Sequence, residues 1–214
     1  MSSPFDQSRY QVRLDWGTAG LERLAASDVV VVVDVLRFST TVTASVAVGE
    51  SVALDAEARA VSRNGAVVAA RAAALDPQPV VLLGALTNAS AVADAVLDEQ
   101  TRRADRTSIA VIACGELSGD AAAPDLRFAV EDLLGAGAVV DALGELGIDH
   151  TSPEAAAAAE AYRGLRGAVR HLLTASGSGQ ELLDRDARAE VLAAATPESQ
   201  ASVPVLRAGV FVAR

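Results

Sequence analysis

A run of five consecutive valines, Val29 to Val33, constrains the fold of this chain more than any other feature. A half-solvated strand alternates apolar and polar residues, so a run that is apolar at every position predicts a strand covered on both faces. An acid, an arginine and three hydroxyl residues follow between positions 34 and 41, and the small apolar residues after them end at Gly49. Because a terminal glycine is typical of a helix end, the pattern predicts a strand, a polar turn and a helix.

The polar turn is the first candidate site. In open α/β sheets, ligands bind at the carboxyl ends of the strands, and the start of the following helix attracts anions. We therefore expect Asp34 and Arg37 to act in catalysis, and Arg37, Ser39 and Thr40 to bind an anionic substrate. The alternative is that Asp34 only caps the helix and that Arg37 pairs with it. The same residue types serve both purposes, and the residues alone leave both open.

The other segments predict an α/β protein with a largely parallel or mixed central sheet, in a single domain over residues 1–214. Alternation of apolar and polar residues in 10–16 is typical of an edge strand. Further strands are predicted at 51–54, 80–84, 108–113, 203–206 and 210–212, helices at 21–24, 41–48, 66–75, 89–99, 128–146, 153–174 and, in two pieces, 180–195, and a loop at 117–125.

Acidic and polar residues follow the later strands at what would be the same edge of a parallel sheet. Asn88 and Gly115 stand there as candidate substrate-binding residues, and Glu116 as a catalytic one. Glu131 and Asp132 open a helix soon after, and with Asp34 they would supply the hard oxygen ligands that Mg²⁺ prefers. Such a site suits phosphoryl transfer, which depends on positioning and charge neutralisation. The alternative for Glu131 and Asp132 is that acids near a helix start are favoured by the helix dipole alone.

Cys114 is the only cysteine, and it follows an apolar strand. A Cys-x5-Arg phosphate loop would make it a nucleophile, but no arginine stands at that spacing. We therefore predict that Cys114 is a buried small residue that is dispensable for activity.

Composition excludes some partners. The formal net charge is −10, which argues against nucleic acid because a nucleic-acid-binding protein needs a basic face. No apolar run reaches the roughly 20 residues that a membrane-spanning helix requires, and the first residues lack the order of a signal peptide. These features predict a cytoplasmic protein. They are compatible with a small-molecule anionic substrate, because Arg37 or a metal ion can reverse the local field, and with a homodimer.

The chain resembles the 2-phosphosulfolactate phosphatase family. The most specific segments are Asp34-Val35-Leu36-Arg37 and Glu131-Asp132. The other segments that carry the resemblance, in chain order, are 12–17, 31–33, 38–41, 64–65, 88–93, 114–116, 133–137, 176–177, 181–182 and 203–206.

This resemblance implies a three-layer α/β/α fold and a Mg²⁺-dependent phosphatase that releases phosphate from 2-phosphosulfolactate in coenzyme M biosynthesis. It also adds Asn64 to the candidate substrate-binding residues. Between Leu54 and Asn64 the family usually carries a longer glycine-rich loop, which this chain lacks. The alternative function is therefore a non-catalytic small-anion-binding protein that keeps the same fold.

Overall fold

A seven-stranded mixed sheet lies at the centre of the molecule. The computed structural model describes residues 3–119 and 124–214, apart from the side chains of residues 59–61. The central strands are β1 (Val12–Trp16), β2 (Val29–Val33), β3 (Val52–Ala53), β4 (Val80–Gly84), β5 (Ile109–Ala113), β8 (Pro204–Arg207) and β9 (Val210–Ala213), while β6 (Glu116–Ser118) and β7 (Asp125–Arg127) form a separate hairpin.

The strand order is β1-β5-β2-β4-β8-β9-β3. The first four strands in that order are parallel, and β8, β9 and β3 complete the sheet by antiparallel pairing. The predicted mixed sheet is thus confirmed, and β1 is an edge strand as its alternation indicated.

The valine run forms β2, which lies between β5 and β4. All five valines are buried. Val29, Val31 and Val33 belong to the apolar core on one face of the sheet, whereas Val30 and Val32 belong to the core on the other. A strand that buries both faces needs apolar residues at every position, and this is why the run does not alternate.

Helices cover both faces of the sheet, which confirms the three-layer α/β/α prediction. Residues of α1, α2 and α4 line one core, and residues of α5 to α10 line the other. The helices are α1 (Gly17–Arg23), α2 (Phe38–Ala47), α3 (Ala56–Val61), α4 (Gly65–Ala73), α5 (Ala89–Arg103), α6 (Val130–Glu145), α7 (Pro153–Leu165), α8 (Val169–Ala175), α9 (Gly177–Asp184) and α10 (Arg188–Ala194). Within the described ranges, each helix is too short or too polar to span a bilayer.

Several predicted segments differ from the structure; α1, predicted at 21–24, begins at Gly17. The single helix predicted for 153–174 is wrong, because a 3₁₀ turn at Arg166–Ala168 separates α7 from α8 near two glycines. The loop predicted for 117–125 is partly strand, since β6 and β7 pair across it; its residues 120–123 lie outside the described part of the chain. The helix predicted to begin at Thr41 begins at Phe38, so the polar turn contributes the first turn of α2.

Close packing places the start of α6 over the end of β2. A Cβ added to Gly135 of α6 would lie 2.5 Å from Cγ2 of Val35, and one added to Gly137 would lie 2.1 Å from the carbonyl oxygen of Ala158 in α7. These distances leave room only for hydrogen atoms. The glycines therefore let α6 approach both the sheet and α7, and this approach brings the acids of its first turn to the carboxyl ends of the strands.

Candidate active site at the carboxyl ends of the strands

Asp34 directly follows β2 and is 5% exposed. Its Oδ1 accepts a hydrogen bond from the Phe38 N–H at 3.2 Å, and its Oδ2 accepts one from the Gly65 N–H at 2.8 Å. The first contact caps α2, as the alternative interpretation of this residue expected. The second contact reaches the start of α4, so two separate helices fix the carboxylate.

Asp132 lies in the first turn of α6 and is 3% exposed. Its Oδ1 accepts a hydrogen bond from the Val35 N–H at 2.7 Å, and its Oδ2 accepts one from the Gly115 N–H at 2.9 Å. The side chain therefore joins the residues that follow β2 and β5. It fixes their relative position at the edge where Asp34 stands.

Glu131 is 2% exposed, and none of the described residues donates a hydrogen bond to its carboxylate. Burial raises the pKa of Asp34 to about 6, and the nearby charges of Glu116 and Glu131 add to that rise against the lowering effect of the two N–H donors. Burial, with the charges of Asp34 and Glu131, raises the pKa of Asp132 well above its ordinary value. The acids Asp34, Glu131 and Asp132 thus repel one another in a water-poor environment. Such a group is stable only if it takes up protons or is offset by a cation.

A second group of side chains centres on Glu116, at the start of β6. Its Oε1 accepts a hydrogen bond from Asn64 Nδ2 at 3.2 Å, and its Oε2 accepts one from Ser178 Oγ at 3.1 Å. Asn64 precedes α4, and Ser178 lies in the first turn of α9. The Asn64 Oδ1 atom is buried without a hydrogen-bond partner among the described residues. A buried carbonyl oxygen without a donor is open to a water, a ligand or a metal ion.

The other predicted site residues have their polar groups committed elsewhere. Arg37 pairs with Glu190 of α10 at 2.6 Å, and both side chains are about half exposed. The Arg37–Asp34 pair of the alternative interpretation does not form. Ser39 Oγ donates to the Val32 carbonyl at 3.0 Å, and Thr40 Oγ1 donates to the Val35 carbonyl at 2.8 Å.

Asn88 and Gly115 also have structural partners. Asn88 is fully buried, accepts from the Ala85 N–H at 2.9 Å and donates to the Ser202 carbonyl at 3.1 Å. The N–H of Gly115 is used by Asp132. The structure thus brings together Asp34, Glu116, Glu131, Asp132 and Asn64, but it leaves no free amide group of Asn88 for a ligand.

The donor set of this cluster fits Mg²⁺. The buried oxygens come from carboxylates and one amide, which are the hard ligands that Mg²⁺ prefers, and Mg²⁺ typically uses only one or two protein carboxylates with waters. Among the described residues, no three or more Asp, Glu, His or Cys side chains form a preassembled metal cage.

Cys114 lies at the end of β5 and is 1% exposed, which confirms that it is buried. Burial raises the pKa of its thiol well above the ordinary value, and the charges of Asp34 and Asp132 raise it further. Since the thiolate is the reactive form, this environment disfavours a nucleophilic role.

Sequence reasoning missed two contacts that depend on distant segments. Ser178 lies between the helices predicted for 153–174 and 180–195, in a segment for which the sequence predicts no site. In the structure, Ser176 caps α9 by accepting from the Gly179 N–H, and Ser178 donates to Glu116. Glu190 gave no signal in the sequence, because its pairing with Arg37 spans 153 positions of the chain.

The fold and the cluster define a class of protein: an α/β protein with buried acids at the carboxyl ends of parallel strands, the edge at which open α/β sheets bind their ligands. The particular family follows from comparison. Residues 55–209 match the model of the 2-phosphosulpholactate phosphatase family, and the chain belongs to this family. The family name describes a phosphatase, that is, a phosphoric monoester hydrolase. No individual curated protein matches the chain.

The matched range includes most of the cluster and excludes part of it. Asn64, Glu116, Glu131, Asp132 and Ser178 lie within residues 55–209, whereas Asp34 and Arg37 precede them. The structure connects the two parts, since Gly65 donates to Asp34 and Asp132 accepts from Val35.

Proposed function

We propose that this protein is a Mg²⁺-dependent phosphatase that hydrolyses a small anionic phosphate monoester. The observation that carries the proposal is the buried group of Asp34, Glu131 and Asp132 at the carboxyl edge of the sheet. Three carboxylates in a water-poor environment favour a divalent cation, and membership of a phosphatase family supports phosphate as the group on which it acts.

Asp34 and Glu131 are the proposed ligands of Mg²⁺. Each oxygen of Asp34 accepts one N–H and keeps a second acceptor site, and the described residues leave Glu131 without a donor. Asn64 Oδ1 is a further candidate because it is buried without a partner. Asp132, also predicted as a ligand, holds the Val35 and Gly115 backbone in place. When bound, Mg²⁺ would neutralise the charge that develops on the phosphoryl oxygens.

Glu116 is the proposed acceptor of the proton from the attacking water. The water oxygen forms a bond to phosphorus, and the bond between phosphorus and the ester oxygen breaks. The ester oxygen leaves as an alcohol after it takes up a proton from solvent, and Glu116 returns its proton to solvent. Asn64 and Ser178 each donate to one Glu116 oxygen and so fix its orientation. Arg37 would exchange Glu190 for an anionic oxygen of the substrate.

The proposed substrate is 2-phosphosulfolactate or a closely related ester, with sulfolactate and phosphate as products. The family name supports this choice. A small anionic metabolite as substrate also supports a cytoplasmic location.

The test is phosphate release from a panel of small phosphate monoesters with Mg²⁺ and with EDTA. We expect release only with Mg²⁺, and we expect Asp34→Asn to abolish it. Asp98→Asn is the matched control, since Asp98 is an exposed acid that pairs with Arg214 on the surface. Release that persists in EDTA would contradict the Mg²⁺ dependence. Binding of phosphate without hydrolysis of any ester would instead support the anion-binding alternative.

A further inference from the structure

Arg127 lies beside the Glu116 cluster, on the second strand of the β6–β7 hairpin. It is directly opposite Glu116 in the antiparallel register. Directly opposite residues project to the same face of a sheet, so the two side chains leave the hairpin on the same side. Glu116 reaches Ser178 of α9 on that side, and Arg127 reaches the residue immediately before it.

The Arg127 guanidinium lies close to the first residue of α9, Gly177. A Cβ added to Gly177 would lie 2.8 Å from Arg127 Nη1. Any side chain at this position would displace the guanidinium, and Gly177 therefore leaves the space that it occupies. Arg127 is therefore a positive group, in addition to Arg37, and it lies next to the Asn64–Glu116–Ser178 cluster.

Arg127 is exposed and forms no ion pair with a carboxylate in the described ranges. Its cross-strand neighbour Glu116 accepts from Asn64 and Ser178 instead. Arg37, by contrast, is neutralised by Glu190. A guanidinium at a helix N-terminus also faces the positive end of the helix dipole, an arrangement that an anion between them would stabilise.

We propose that Arg127 binds the non-reacting anionic group of the substrate and so determines which phosphate esters the site accepts. A guanidinium fits two oxygens of a carboxylate or sulfonate at once, which suits this role better than a point charge. The inference rests on the proposed phosphatase function, since it assigns the reacting phosphate to the acidic cluster and the second anionic group to Arg127.

The first test compares two esters, one with a second anionic group and one without. The esters are 2-phosphosulfolactate and ethyl phosphate, and the variants are Arg127→Gln, Arg127→Lys and the control Arg207→Gln. Arg207 is exposed at the end of β8, which runs antiparallel to the central parallel strands. We expect Arg127→Gln to lower the ratio of kcat/KM for 2-phosphosulfolactate over ethyl phosphate by about ten- to hundredfold, through KM. Arg127→Lys should lower the ratio less, and Arg207→Gln should keep it.

A second readout needs no turnover. Isothermal titration of sulfolactate into the wild-type protein should give binding that Arg127→Gln weakens and Arg207→Gln retains. If no ester is hydrolysed but this pattern holds, the phosphatase proposal fails and the role of Arg127 in anion binding stands. An equal loss of kcat/KM for both esters, no loss for either, or unchanged sulfolactate binding would overturn the assignment of Arg127.

Discussion

At the residue scale, the position of the Asp34 carboxylate depends on how closely the backbone of Gly65 approaches it. The Gly65 N–H donates to Asp34 Oδ2 at 2.8 Å, and a Cβ on Gly65 would lie 2.6 Å from that oxygen and 2.7 Å from Cδ1 of Phe38. Both neighbours are buried, so neither can move away freely. The glycine is therefore required by the position of the carboxylate.

Gly65→Ala should lower both stability and phosphate release, because the added methyl group forces Asp34 or Phe38 out of place. Overpacking of this kind costs about 1–3 kcal/mol. Gly144→Ala in α6 is the matched control: a Cβ there would meet nothing within 4 Å, and alanine is favoured over glycine in a helix by about 1 kcal/mol. Thermal unfolding and phosphate release measure both effects. Equal unfolding temperatures and equal phosphate release in the two variants would show that the close approach of Gly65 to Asp34 is not required.

Cys114→Ser should retain most of the phosphate release. The thiol is buried and its pKa is raised, so the thiolate that a nucleophilic mechanism requires is disfavoured. Initial rates of the wild-type and variant proteins at equal concentration decide the point. A complete loss of release in a variant with an unchanged unfolding temperature would revive the nucleophilic role.

Arg37→Lys should raise KM while the affinity for Mg²⁺ stays the same. Lysine keeps the charge but loses the planar fork that matches phosphate or sulfonate oxygens. The loss of one charge-assisted hydrogen bond corresponds to about ten- to hundredfold in affinity. Steady-state kinetics give KM, and titration with Mg²⁺ gives the metal affinity. If the variant loses Mg²⁺ binding, the Arg37–Glu190 pair chiefly supports the structure around the metal.

At the element scale, Glu99 stabilises the end of α5 through ion pairs with two arginines in the last turn of that helix. Its carboxylate accepts from Arg102 Nη2 at 2.5 Å and from Arg103 Nε at 2.8 Å. The hydrogen bonds from Arg102 lower the pKa of Glu99 to about 2, from an ordinary value of 4.5, with further lowering by Arg103. A carboxylate whose pKa is lowered by folding stabilises the protein above its unfolded-state pKa.

The contribution of Glu99 to the free energy of unfolding should therefore be complete above about pH 4.5, and it should disappear as the pH falls toward about 2. Urea unfolding of wild type and Glu99→Gln at neutral and at acidic pH measures it. We expect Glu99→Gln to be less stable at neutral pH and the difference to shrink in acid. Glu50→Gln, at an exposed position, should show no such trend. A difference that does not change with pH would mean that the lost stability is not electrostatic.

Local sequence patterns predict which helices and strands this protein forms better than they predict where those elements begin and end. The valine run identified β2 and its burial on both faces, since both follow from the residue types alone. The break between α7 and α8 was missed, because single glycines are also tolerated inside helices. The hairpin of β6 and β7 was missed too, because strands of three residues are too short to show a period.

At the scale of the whole molecule, the gathering of the candidate acids at one edge of the sheet was predictable, and their hydrogen-bond partners were not. Asp34, Glu116, Glu131 and Asp132 are acids next to strand ends or a helix start, and the topology of a parallel sheet gathers such positions at one edge. The hydroxyls of Ser39 and Thr40, and the amide of Asn88, were predicted to bind substrate, but they form hydrogen bonds with the protein backbone. Short polar side chains in turns serve both purposes, and only the three-dimensional contacts distinguish them.

The pKa of Asp34 links the folded state to pH and to Mg²⁺. Folding raises this pKa from 3.8 to about 6, so the folded state holds the proton more tightly and the metal-free protein loses stability as the pH rises through this range. A cation competes with the proton for the same carboxylate. Affinity for Mg²⁺ should therefore fall roughly tenfold for each pH unit below about 6.

The most direct measurement is isothermal titration of Mg²⁺ into the wild-type protein, Asp34→Asn and the surface control Asp98→Asn, near pH 7.5 and again near pH 5. The proposed site predicts Mg²⁺ binding by the wild type and Asp98→Asn that weakens at the lower pH. Asp34→Asn keeps the shape of the side chain without its charge, and it should bind Mg²⁺ weakly at both pH values. Wild-type affinity in Asp34→Asn, or no binding by the wild-type protein near pH 7.5, would contradict a Mg²⁺ site built on the buried acids.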